Sequence, residues 1–258
     1  MPQNVSPQNV SERSVVVGGT AGIGLATARL LAGQGHQVTV VGRDPERLKQ
    51  ALAELDGEGE GVQGRAVSTT DRAALDALFA ELGALDNLIV TAPGTGAPGT
   101  LADLDLGALE EAFRTKFSGL AHTIQAALPY LAKTGSITLV SAASAQTALP
   151  GTAGLAAVNG AVETLIPTLA LELAPIRVNC VSPGVVDTQW WDRVVPPEQR
   201  AAAMAGFVAG TPVGRVGTAE DIADVIALLV RNGYLTGTVI PADGGFRLKP
   251  AAPGVSVS

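Results

Sequence analysis

Short apolar runs alternate along the chain with stretches in which apolar positions recur at helical spacing. Val15-Val16-Val17 is a β-branched run suited to a buried strand. It leads into Gly18-Gly19-Thr20-Ala21-Gly22-Ile23-Gly24, after which Leu25, Ala28, Leu30 and Leu31 supply an apolar helical face. Residues 37–42 read as a second strand. Asp44 then caps a helix that has Pro45 in its first turn and runs to about residue 55. The pattern goes on with a Gly/Glu turn over 57–61, a strand over 62–67, a helix over 71–82, a strand over 87–91 and a Gly/Pro loop over 93–99. One long helix is predicted over 108–132, a strand over 136–141, an Ala- and Gly-rich helix over 153–173, and a strand over 176–181. Beyond a Pro- and Trp-containing loop, Thr218-Ala219-Glu220-Asp221 reads as a capping box with Asp in place of Glu. Its helix ends near Asn232-Gly233, and residues 238–242 form a last strand.

This alternation predicts an α/β fold: a single Rossmann-like, doubly wound parallel sheet with helices on both faces. No break in composition divides it. The expected domain covers 14–247, between polar or Pro/Gly/Ser-rich tails at 1–13 and 248–258; the first tail carries Pro-Gln-Asn-Val-Ser twice, at 2–6 and 7–11. In such a sheet the ligand lies beyond the carboxyl ends of the strands, where the strand order reverses.

Composition narrows the partners. The 258 residues are 47% hydrophobic but only 3% aromatic, so the core must be built from Ala, Val, Leu and Ile. Lys and Arg total 17 against 24 Asp and Glu, a net charge of -7, which argues against a nucleic-acid or anionic-membrane partner. Cys180 is the single cysteine and sits in an apolar run, so no disulfide framework exists and a reducing, cytoplasmic location is expected. His36 and His122 lack the spacing of a metal site. No apolar signal core opens the chain, and no run reads as long enough to span a bilayer.

The glycine-rich turn carries the first chemical signal. Between a strand and a helix, backbone N–H groups and the positive end of the helix receive a phosphate, and side chains larger than glycine would hold it off. Further motifs follow in order: Gly42-Arg43 after the second strand, Gly94 in the loop after the fourth, Arg177-Val178-Asn179, Pro183-Gly184, Thr188, Thr236-Gly237 and Asp243-Gly244-Gly245. On these residues the chain resembles the short-chain dehydrogenase/reductase family over about 14–245.

The resemblance implies a dinucleotide held by Gly18, Thr20, Gly22, Ile23 and Gly24. Ser68 would lie near the adenine, and Thr69, Ala92 and Gly94 would also touch the cofactor. Pro183, Gly184, Val186 and Thr188 would lie toward the nicotinamide. Ser68 stands where the family usually has Asp, and only Gly94 survives of the family's Asn-Asn-Ala-Gly. An acidic residue that takes the ribose hydroxyls of NAD would fall on Gly42; with Arg43 next, NADP(H) is favoured, because a guanidinium pairs with a 2′-phosphate.

The family's catalytic Asn, Ser, Tyr and Lys fall on Lys116, Ala142, Leu155 and Asn159. Leucine cannot donate a proton, so carbonyl reduction by the usual tyrosine route is not expected. Three readings stay open. An imine or iminium substrate would need no tyrosine acid, with Asp187 and Trp190 facing the cation; Trp191 and Trp190 would equally form an apolar substrate lid. Alternatively Ser144 or Lys116 replaces the missing acid. In the third reading the fold survives as an inactive cofactor- or partner-binding module. The expected partner is a small apolar molecule. The small residues Ala156, Ala157, Gly160 and Ala161, with the resemblance, imply a homodimer or homotetramer.

Overall fold

The computed structural model describes residues 11–57, 61–92, 96–193 and 195–248. Seven strands form one parallel sheet: β1 Arg13–Val17, β2 Gln37–Gly42, β3 Gln63–Ala66, β4 Leu85–Val90, β5 Leu131–Val140, β6 Arg177–Pro183 and β7 Val239–Ala242. Their order is β3-β2-β1-β4-β5-β6-β7, so the winding reverses between β1 and β4. The first helices are α1 Gly22–Gly33, α2 Pro45–Glu54, α3 Arg72–Leu82, α4 Leu106–Ala112 and α5 Gly119–Ala127. They are followed by α6 Ala153–Glu172, α7 Pro197–Ala209 and α8 Ala219–Arg231.

The strands alternate their side chains between two cores, as a pleat with period two requires. Val15, Val17, Leu88, Val90, Ile137, Leu139 and Val178 pack with Leu75, Phe79, Ile124, Val162 and Ile166 of α3, α5 and α6. Val16, Val38, Val40, Ile89, Val140 and Val181 face the other way, onto Leu31 of α1, Leu48 of α2, and Ile222 and Ile226 of α8. Each fully buried Leu or Ile contributes about 2 kcal/mol. Aliphatic side chains therefore suffice despite the shortage of aromatics.

Four differences from the sequence reading have local causes. The sheet begins at Arg13, inside the stretch read as tail: Arg13 N–H donates to Asp86 Oδ2 at 2.8 Å, and its guanidinium reaches the Leu82 carbonyl. Likewise Leu248 belongs to a closing 3-10 turn, Phe246–Leu248, while 1–10 and 249–258 lie outside the described residues. The single helix expected over 108–132 is instead α4, a π-helical turn at Phe113–Ser118, α5 and a 3-10 turn at Leu128–Tyr130, and β5 already starts at Leu131. Finally, α6 is long and apolar enough by length and composition to cross a membrane (mean hydropathy 1.4), which corrects the reading that no run reaches that length. In the fold it is the crossover between β5 and β6, and it buries Val158, Val162 and Ile166 against neighbouring elements.

The Arg-Val-Asn segment has a structural explanation. Arg177 donates to Leu229 O at 2.6 Å and Val230 O at 2.8 Å, serving the last carbonyls of α8. Asn179 bonds Leu235 O at 2.8 Å and receives Thr238 N–H at 3.2 Å, tying β6 to the segment that leads into β7.

Candidate active site

The carboxyl ends of β1, β2 and β4 meet at the point where the winding reverses. Gly18 has φ +86° and Gly22 φ +50°, values that suit glycine. Close packing explains Gly24: a Cβ there would collide with Gly18 O and lie 2.5 Å from Thr91 Oγ1. Thr91 Oγ1 is itself held by Val17 O at 3.1 Å. A Cβ on Gly18 would lie 2.7 Å from Ala92 N, so the turn after β1 sits directly against the end of β4. Thr27 donates to Ile23 O at 2.8 Å within α1.

At the end of β2, a Cβ on Gly42 would collide with the Thr20 methyl. A side chain at 42 would require Thr20 to move, and the next residue, Arg43, is exposed. Glu111 of α4 is near enough to feel the charge of Arg43. Ser68 Oγ pairs with Thr70 Oγ1 at 2.9 Å, and Thr69 closes against Gly119 at the start of α5. Gly94 lies outside the described residues.

On the other side, Pro183 ends β6 and Gly184 N–H donates to Ala242 O at 3.0 Å. A Cβ on Gly184 would lie 2.7 Å from Asp243 Cα. Buried Asp243 in turn accepts from Gly245 N–H at 2.9 Å and pairs with Arg247 at 3.0 Å, which fixes this crossing. Val186 is a buried packing residue whose carbonyl accepts from Trp191 Nε1 at 2.8 Å. Thr188 Cγ2 comes within 3.2 Å of a Cβ built on Gly22, so the loop after β6 lies over the glycine turn. Trp190, Trp191, Phe207 and Phe246 form a run of ring contacts with centroids 4.9, 5.1 and 6.2 Å apart. Asp187 is not an unpaired carboxylate: Arg200 of α7 reaches it at 2.7 Å and also pairs with Asp192.

The third group lies between the π-helical turn, β5 and α6. Lys116 is buried; its Nζ donates to Asn159 Oδ1 at 2.6 Å and to Ser141 O at 3.4 Å. Asn159 Nδ2 donates to Ser144 Oγ at 3.1 Å. Lys116 and Asn159 therefore touch, with the two residue types on the opposite elements from those the resemblance implies. Burial pushes the Lys116 ammonium down to about 8, against the opposing pull of Cys180 and Glu163. Ala142 and Leu155 flank this group in sequence and bring no polar side chain.

Sequence reasoning missed Glu163, which accepts from Ser141 Oγ at 2.6 Å, Ser182 Oγ at 2.7 Å and Gln146 Nε2 at 2.8 Å. Its signal was the four-residue step from Asn159 along one helix face. It also missed Arg200, which lies thirteen positions from Asp187 and gave none. Beside the amino end of α6 an apolar cleft of about 310 Å³ is lined by Leu101, Leu149, Pro150 and Ala156.

Comparison with known proteins agrees with this geometry. The family model described as enoyl-(acyl carrier protein) reductase matches residues 18–247. A short-chain dehydrogenase/reductase of Stachybotrys chlorohalonatus, ATR9, is 31% identical over 90% of this chain and 95% of its own length. The 2,3-dihydro-2,3-dihydroxybenzoate dehydrogenase of Bacillus subtilis is 29% identical over 90% and 95%. Among solved structures, a small-chain dehydrogenase in complex with NADPH superposes with TM-score 0.80 at 34% identity, covering 92% of this chain and 99% of that one. The MalC reductase/Diels-Alderase of Malbranchea aurantiaca reaches TM-score 0.85 at 25% identity over 93% and 97%. The fold and its glycine-lined edge are those of a dinucleotide-binding α/β protein. The chain belongs to the short-chain dehydrogenase/reductase family.

Proposed function

We propose that this protein is an NADP(H)-dependent oxidoreductase that acts on a small apolar substrate without a tyrosine acid. The observation that carries the reading is the end of β2, where Thr20 occupies the space of any side chain at 42 and Arg43 follows. With glycine at 42 no carboxylate meets the ribose hydroxyls there, and a guanidinium stands ready for a 2′-phosphate. The first turn of α1, which opens at Gly22, offers the N–H groups of a helix N-terminus to the pyrophosphate, and Thr188 closes from the far side. The bound dinucleotide would supply or accept hydride. The NADPH held by the similar small-chain dehydrogenase supports the same reading.

The apolar cleft at Leu149 and Pro150 suits an apolar substrate. With Leu155 where the resemblance implies a tyrosine, the substrate is one whose reduction needs no tyrosine proton. An iminium ion, which hydride leaves neutral, meets that requirement, as does a carbonyl served by Ser144. The loss of the Tyr–Lys pair favours a second reading, an inactive NADP(H)-binding module. Self-association belongs with either: Leu171 is 82% exposed on α6, and its small residues permit close packing, giving an expected homodimer or homotetramer that sedimentation would measure.

Titration with NADPH and with NADH, followed by nicotinamide fluorescence, tests the assignment. NADPH should bind at least tenfold more tightly. Binding of neither nucleotide overturns the enzyme reading. NADPH binding without consumption across a panel of imines and carbonyls favours the module.

A further inference from the structure

Ser141 and Ser182 stand side by side at the carboxyl ends of β5 and β6. Val140 pairs with Val181, so on the face covered by α6 the apolar row of Leu139 and Cys180 is followed by a row of two hydroxyls. Both serines are buried, and both donate to one atom. Glu163 Oε1 accepts from Ser141 Oγ at 2.6 Å and from Ser182 Oγ at 2.7 Å. Glu163 Oε2 accepts from Gln146 Nε2 at 2.8 Å, in the turn after β5. Val162 and Ile166 of α6 are buried in the core against the same strands, which holds the helix that carries this carboxylate.

Lys116 is the counter-charge of Glu163, with Ser141 between them. The Ser141 carbonyl accepts from Lys116 Nζ at 3.4 Å, while the Ser141 hydroxyl donates to Glu163. The Glu163 charge acts on Lys116 across this bridge. Cys180 of β6 faces the same group, and burial pushes its thiol up to about 11, so it stays neutral. The two opposite charges offset each other. What Glu163 contributes is therefore position rather than field.

The sheet order decides which half of a dinucleotide lies here. A 2′-phosphate at Arg43, after β2, and a pyrophosphate at the start of α1, after β1, send the rest of the molecule toward β4, β5 and β6. The 183–188 segment meets it there. That segment begins one residue after Ser182, and its Thr188 lies over Gly22. We propose that Glu163 is a positioning residue for the nicotinamide half of NADP(H). By holding Ser182 to Ser141 it sets the point from which the 183–188 segment leaves β6, and through Gln146 it ties the turn after β5 to the same anchor. Hydrogen bonds to a carboxylate are short and strong, which suits an anchor shared by two strands and a turn. This inference rests on the NADP(H) reading above and assigns one half of that cofactor to a residue that does not touch it.

Adenosine 2′,5′-bisphosphate carries the adenosine and the 2′-phosphate without the nicotinamide, so it reports on the other half alone. Calorimetric titration of the full chain with this probe and with NADPH separates the two halves. Glu163→Ala should weaken NADPH about tenfold. The bisphosphate should stay within about twofold, as distant sites act independently. A merely structural role would lower both together. Glu163→Gln should bring NADPH back to within about threefold of the unaltered protein, because its amide oxygen still accepts from both serines and the Gln146 amide turns over to meet its nitrogen. Ser182→Ala leaves Glu163 in place and should weaken NADPH about fourfold with the bisphosphate unchanged; it decides the matter should Glu163→Ala not fold. Equal loss of both probes, an unaltered NADPH affinity in Glu163→Ala or Ser182→Ala, or a loss in Glu163→Gln as large as in Glu163→Ala overturns the proposal. Should the unaltered protein bind the bisphosphate as tightly as NADPH, the nicotinamide half is not held and this proposal alone falls. Should it bind neither, the NADP(H) reading falls and takes the proposal with it.

Discussion

The glycine edge around β1 and β2 and the corner between β5 and α6 obey different rules. At the glycine edge the residue type is dictated by backbone. Gly24 faces Gly18 O, Gly18 faces Ala92 N, and Gly184 faces Asp243 Cα. Added atoms there have nowhere to go. At the β5–α6 corner the residue type is set by side chains instead: on the alignment that the resemblance implies, Leu155 and Ala142 would stand at two catalytic positions, and Lys116 and Asn159, which touch, at the other two. A site that binds through its backbone cannot drift without losing the fold. A site that reacts through side-chain tips can, as long as its buried polar atoms stay paired.

The comparison breaks most sharply at Gly24. Gly24→Ala should cost about 3 kcal/mol or more in urea unfolding, because its methyl meets Gly18 O and Thr91 Oγ1 in a packed strand–helix junction. NADPH titration should show binding lost with it. Leu155→Ala, at the other corner, should leave NADPH affinity within about threefold. Equal loss in the two variants would end the distinction.

Arg43→Asp comes next. Replacing the guanidinium with a carboxylate should weaken NADPH about 100-fold, as expected for losing a charge-assisted bidentate pair and gaining repulsion. NADH should change by less than about threefold. A parallel loss for both nucleotides would mean that Arg43 supports the loop rather than a 2′-phosphate.

Much of the glycine edge was legible in the sequence, since close approach demands a residue type and residue types can be read. Alternating strands and helices were legible for the same reason: two-sided burial of Val16 and Val17 on opposite cores leaves an apolar run. The π-helical turn at Phe113–Ser118 was not. A single π-helical turn has no sequence period of its own, and the oxygens that Lys116 meets within it come from residues 25 and 43 positions away. The pairing of Asp187 with Arg200 was hidden likewise, because a loop and a helix with ordinary surface composition meet only in the fold.

Lys116 gives the comparison a pH dependence. The unfolded chain holds that proton to about 10.5 and the folded protein to about 8. From pH 8 upward the unfolded state binds more protons, so stability rises with pH, by about 1 kcal/mol between pH 8 and 9. Above pH 9 Cys180 opposes it, since the folded thiol keeps its proton to about 11 while the unfolded one loses it near 9. Urea unfolding at pH 7, 8 and 9 should show a plateau and then a rise. Lys116→Met should abolish the rise, and a rise that survives the substitution would assign it to another group.

The smallest expected effect tests whether the two regions communicate. Arg200 of α7 bonds Asp187 Oδ1 at 2.7 Å and Thr188 O at 3.2 Å, and Thr188 lies over Gly22. The same guanidinium holds Asp192, next to the Trp190–Trp191 pair. One side chain thus joins the aromatic loop to the residue that covers the glycine turn. The ion pairs are partly exposed, so each contributes little to stability. Their effect should instead be on loop position. Arg200→Ala should weaken NADPH about threefold, leave the unfolding midpoint nearly unchanged, and raise trypsin cleavage in the 190–208 stretch of the nucleotide-free protein. An unchanged NADPH affinity would show that the loop after β6 closes over the glycine turn without help from α7, and that the two regions are joined only through the sheet.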